Sequence, residues 1–151
     1  MPLLLPEAYG TLGVTHDHPL LGALFTPETR VFELHFEGAY VLSEGACGLQ
    51  HEYTDVRVRV AGWRDARFEA EAAQPFASGV DSAALPLLPF DPRIERIAEV
   101  YELDLTPNVR LSGWLVFAPH ESMRWYTITF EGASVMVTYA QTSPLEEAPP
   151  D

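Results

Sequence analysis

Strict alternation of apolar and polar residues first appears over residues 30–36, where Phe32, Leu34 and Phe36 fall on one side and Val31, Glu33 and His35 on the other. That is the pattern of a half-buried strand. Glu37-Gly38 follows, and a glycine supplies the positive φ that a tight link needs, so the spacing predicts a hairpin returning through residues 39–43. Alternation resumes over residues 55–62, with Val56, Val58 and Val60 inward and Arg57 and Arg59 outward. It recurs over residues 66–72, with Phe68, Ala70 and Ala72 opposite Arg67, Glu69 and Glu71. Arg57 and Arg59 are expected to pair with Glu69 and Glu71 across a hairpin, as a solvated ladder in which each pair contributes about 0.2–1 kcal/mol. Residues 109–117, 124–130 and 133–141 complete the strands, and Glu131-Gly132 forms a second tight link between the last two.

One segment departs from the two-residue period. Ile94, Ile97, Ala98 and Tyr101 recur at helical spacing behind Asp91, a capping residue, and Pro92, which suits a first helical position. Glu95 stands where a capping box would place it, so the pattern predicts one helix over residues 92–102. Residues 1–29 show neither period and are punctuated by Pro2, Pro6, Pro19 and Pro27. They read as an irregular arm whose apolar content packs it on the body. Residues 73–90 are a Pro-, Ala- and Ser-rich link, and 143–151 an acidic, Pro-rich tail expected to be disordered. The fold class is therefore mainly β (α+β): an antiparallel sheet built from hairpins, as a small barrel or sandwich, with the helix closing an end or face. Residues 1–142 make one globular domain. Phe-Glu-Gly-Ala at 36–39 is echoed at 130–133, and Gly62-Trp63 at Gly113-Trp114, but the two offsets differ, which excludes a simple tandem repeat. Shared hairpin grammar is the expected source of the echoes, with an ancient pseudo-symmetric pair of sheets as the alternative.

Composition narrows the function classes. A chain of 151 residues can bury roughly 70% of its unfolded surface without a metal or disulfide. The lone Cys47 excludes an internal bridge, and the first apolar run, Leu3-Leu4-Leu5, is too short for a signal peptide, so a cytoplasmic location is expected. No stretch is long and apolar enough for a membrane helix, and no basic amphipathic segment would hold the chain to a bilayer. The formal charge is −13, with nine arginines and no lysine. Direct nucleic-acid binding is disfavoured, because phosphate affinity comes from Lys and Arg. A basic protein partner is the charge-compatible class.

The sequence holds no phosphate-binding glycine loop, nucleophile elbow, paired-cysteine zinc site or His-Glu-x-x-His helix. Cys47 has no neighbouring cation to stabilise a thiolate and reads as an incidental thiol. His16 and His18 would point the same way in an extended segment, and His120 with Glu121 could complete a site for a divalent transition metal such as Zn. Trp63, Trp114 and Trp125 could wall a ligand cavity in a small barrel. The carboxylate pairs Glu69 with Glu71 and Glu146 with Glu147 lack the contrasting environments that acid and base partners need.

The leading reading is a non-enzymatic acidic module without a cofactor, binding a basic protein as an inhibitor or immunity-type protein does. Second comes a metal- or small-molecule-binding β-barrel protein, an enzyme included, using those four ligands and three tryptophans. Third is a subunit whose exposed strand edges pair in a symmetric homo-oligomer.

Overall fold

In chain order a 3-10 turn at Pro6–Thr11 is followed by strands β1 (Leu12–Gly13), β2 (Leu20–Thr26), β3 (Val31–Leu42), β4 (Gln50–Ala61), β5 (Asp65–Glu71), β6 (Leu87–Pro89), β7 (Arg96–Asp104), β8 (Val109–Phe117), β9 (Ser122–Glu131), β10 (Ser134–Thr138) and β11 (Gln141–Pro144). These elements belong to a computed structural model that describes residues 2–14, 18–42, 50–71, 87–93, 95–117 and 122–144. In the first sheet, A, β3 and β4 form the centre, β1 and β2 share the free edge of β3, and β10 and β11 share that of β4. The second sheet, B, has the order β6-β5-β9-β8-β7. All pairings are antiparallel. The mainly β expectation holds, and the arrangement is a sandwich; no barrel closes.

The alternating residues explain why the sheets stack. Phe32, Leu34 and Phe36 from β3 and Val56, Val58 and Val60 from β4 meet Leu111, Leu115, Tyr126, Ile128 and Phe130 from sheet B, all buried. Removing such a side chain from water stabilises the fold by about 1.5–3 kcal/mol. Leu4, Tyr9, Leu12 and Val14 join the same core, so the N-terminal arm packs on the body. It is more regular than its prolines suggest, because β2 pairs with β3 along its length.

Chain crossings between the sheets occur at two adjacent corners. Gly62 (φ 66) and Trp63 carry β4 into β5, and Gly132 (φ 71) carries β9 into β10; the Arg64 N–H donates to the Glu131 carbonyl at 2.8 Å and ties the corners together. Both glycines occupy the left-handed region, where a side chain is strained. The Glu131-Gly132 hairpin expectation is thus corrected: β9 pairs with β5 and β8, whereas β10 pairs with β4.

Glu37-Gly38 is no hairpin either. β3 runs straight through it, with Phe36 opposite Val56 and Gly38 opposite Thr54. What changes there is the inward set, from Phe32, Leu34 and Phe36 to Ala39 and Val41, beside Asp55 at φ 52 on β4. The predicted ladder of Arg57 and Arg59 with Glu69 and Glu71 fails because β4 and β5 lie in different sheets. Arg59 lies 3.7 Å from Glu33, and Arg57 lies 3.8 Å from Asp55.

The helix expected at 92–102 is replaced by a turn at Pro92 and Arg93 and by β7. Two register irregularities, one between Ile97 and Glu99 and one between Val100 and Glu102, each insert a residue into β7. Inward residues therefore fall at Ile97, Val100 and Leu103, and bulges turned the two-residue period into a helix-like three. Asp91 does behave as a capping residue, accepting from the Arg93 N–H at 2.9 Å. Ser143 and Pro144, assigned to the tail from sequence, instead pair with Glu52 and His51; residues 145–151 lie outside the described residues.

Candidate functional site

The outward face of sheet B gathers acidic and aromatic side chains. Because Ala70 on β5 and Tyr126 and Ile128 on β9 are buried, the alternate positions Arg67, Glu69, Glu71, Trp125, Thr127 and Thr129 point outward. Register carries three rows across the sheet: Trp125 with Trp114 and Glu99, in line with Glu71 one position past the last β5 pair; Glu69 with Thr127, Ser112 and Glu102; and Arg67 with Thr129, Arg110 and Asp104. Trp114 and Trp125 pack edge to face with centroids 5.0 Å apart, and Tyr101, 56% exposed, meets Trp125 at 6.0 Å. The carboxylates of β5 and of β7 are separated by three strand spacings, about 14 Å, so an aromatic strip lies between two acidic borders. The same outward phase adds Asp65 and Glu131 beyond the Arg67 row and Arg96, opposite Val116, beyond the tryptophan row, so seven carboxylates face three arginines on the described part of this face.

Sheet A offers a contrast. On its outward side the Arg59–Glu33 and His35–Asp55 contacts cross between β3 and β4, and Glu37 and Glu52 lie near the second of them. Among the described residues the larger acidic surplus is on sheet B.

Beneath the aromatic strip the support is rigid. The buried Tyr126 hydroxyl donates to the Glu99 carbonyl at 3.0 Å, and burial, with the nearby Glu99 charge, holds its phenol well above the ordinary tyrosine range. Gly113 faces the same carbonyl so closely that any side chain would collide with it. At the end of the sheet Arg124 donates through Nε to the Glu71 carbonyl at 2.7 Å and through a terminal nitrogen to Glu95 at 2.9 Å. Both charged side chains are largely buried, and Glu95 Oε2 has no hydrogen-bond partner among the described residues. Sequence reasoning missed this pair, because the partners are 29 residues apart and no local pattern links them. Near the same turn Asp91 binds Arg93, whose guanidinium holds its carboxyl below the usual range.

The residues proposed as metal ligands are only partly visible. His16, His120 and Glu121 lie outside the described residues, as do Cys47, Glu146 and Glu147. His18 covers Gly38, meets the Tyr40 ring at a tilt with centroids 6.0 Å apart and sits 3.8 Å from the Glu52 carboxylate. It shares an open pocket of about 430 Å³ with His35, Glu37, Glu52 and Asp55. Among the described residues no three such groups are arranged to hold a metal ion. The three tryptophans do not share a cavity: Trp63 is buried against Phe25 and Phe130, whereas Trp114 and Trp125 lie across the sheet on its outer face. Sequence alternation could have separated them, since Trp114 and Trp125 each occupy the polar phase of their strand.

Among the described residues no helix is long and apolar enough to cross a membrane. No family model matches the chain, and neither a curated protein nor a solved structure is significantly similar to it.

Proposed function

We propose that the protein is a non-enzymatic acidic binding module that engages a basic protein partner through the outer face of sheet B, in the manner of an inhibitor or immunity-type protein. The observation that carries this reading is the strip of Trp114, Trp125 and Tyr101 held between the carboxylates of β5 and β7. Arginine or lysine side chains crossing such a strip stack on indole faces, at about 0.5–1 kcal/mol each when exposed. The flanking carboxylates attract the same groups and accelerate encounter. Aromatic centres with charged rims are also where binding energy concentrates in protein interfaces. The same charge distribution repels phosphate, in keeping with a protein rather than a nucleic-acid partner.

The test is capture from the source lysate at low salt on the tagged protein, followed by stepped salt elution. A single basic protein should leave at moderate salt, and Trp125→Ala or Glu69→Lys with Glu102→Lys should cut its retention at least about tenfold, a difference of about 1.4 kcal/mol. Retention indifferent to salt and to both variants would overturn the proposal.

A further inference from the structure

We infer that β2 is a self-pairing edge through which two copies of this chain join their A sheets into one continuous antiparallel sheet. This inference concerns the other sheet and does not depend on the proposed function.

β2 hydrogen-bonds only to β3 among the described residues, so its far edge presents a row of backbone donors and acceptors. Its neighbours on other edges are protected differently. β7 carries Glu99, Glu102 and Asp104, β6 is three residues long and ends in Pro89, and β10 is covered near its end by the N-terminal segment, where the Leu4 N–H donates to the Val137 carbonyl at 2.8 Å. From Gly22 to Thr26 β2 has none of these safeguards; its register shifts at Leu21, and the start of β7 approaches its Leu20–Ala23 end. From Pro19 to Pro27 no residue is charged, and Leu21 and Leu24 are 56% and 58% exposed. In a chain of charge −13, most surfaces of two copies repel, and an uncharged edge is where they can approach.

Geometry selects the register. Pairing with β3 puts Gly22 and Leu24 on the outward side, opposite His35 and Glu33, and leaves Ala23 between them. A two-fold axis at Ala23 lays each copy's Leu24 beside the other's Gly22, on the same side of the joined sheet. Gly22 has nothing within 4 Å of the place a side chain would occupy. It opens into a pocket of about 380 Å³ lined by Leu24, His35, Arg57 and Met136. Each leucine therefore fills the space left by the glycine of its partner, and main-chain hydrogen bonds supply the rest of the association.

Sedimentation of the full chain at micromolar concentration should show a dimer, and Leu24→Lys should weaken it at least about tenfold without altering the far-ultraviolet spectrum. A monomer, or a dimer that Leu24→Lys leaves intact, would overturn the inference. Crosslinking fixes the register independently in a Cys47→Ser background. Residues opposite each other across an antiparallel pair sit about 4.5–5.5 Å apart at Cα, inside the range a disulfide spans. Ala23→Cys should therefore oxidise readily to a covalent dimer. Thr26→Cys, whose two copies would stand six residues or about 20 Å apart, should not. Equal crosslinking of the two variants would refute the register.

Discussion

Gly113 is the residue at which the fold has least room. Its backbone runs against the Glu99 carbonyl, which also accepts the Tyr126 hydroxyl, and a methyl group there would force β7 and β8 apart beneath the aromatic strip. Gly113→Ala is expected to destabilise the protein by about 2 kcal/mol in urea unfolding, as overpacked cores are. Gly10→Ala, which meets nothing within 4 Å, should stay within about 0.5 kcal/mol. Equal effects would mean that the crowding at Gly113 is relieved by strand movement. At this scale the sequence was informative about type and silent about neighbourhood. The Gly-Trp echo is real in the sequence, yet Gly62-Trp63 turns a corner between sheets with Trp63 buried, whereas Gly113-Trp114 lies inside a strand with the indole outward. The difference depends on which strands pair, and that is decided by contacts remote in sequence.

Elements were legible wherever a strand kept an unbroken two-residue period. The inward sets of β5, β8 and β9, and of β4 from Val56 to Val60, follow directly from alternation, because each of those stretches buries one side against the core. Misreadings arose where the phase shifts. In β7 two inserted residues gave a spacing of three, and in β3 the Glu-Gly pair that resembles a turn instead marks the point where the inward set changes. Long-range links between elements had no local signature at all. The Arg124 and Glu95 pair joins β9 to the turn before β7, and Arg124 also grips the end of β5. Removing one member of a buried pair strands the other charge, which costs about 3–5 kcal/mol, whereas replacing both with apolar groups is often neutral. Arg124→Met alone should therefore destabilise by about 3 kcal/mol, and Arg124→Met with Glu95→Leu should recover most of the loss in the same unfolding assay. No recovery in the double variant would show that the guanidinium matters chiefly through the Glu71 carbonyl.

For the whole molecule, the charge of −13 was visible from composition, but its placement was not. Sheet A pairs its two outward arginines with Asp55 and Glu33, while sheet B carries carboxylates on both sides of its tryptophans. Two surfaces thus divide the labour proposed for the protein: an acidic aromatic face for a basic partner, and an uncharged edge for a second copy. The three tryptophans provide a built-in readout, because Trp114 and Trp125 lie on the proposed binding face and Trp63 is enclosed. The most direct measurement is a titration of the isotope-labelled full chain with a short arginine-rich peptide at low salt, following the three indole N–H signals by NMR. The Trp114 and Trp125 signals should move together and return when salt is added, with Trp63 unmoved. Shifts confined to sheet A, or movement of Trp63 alone, would contradict the assignment of the binding face.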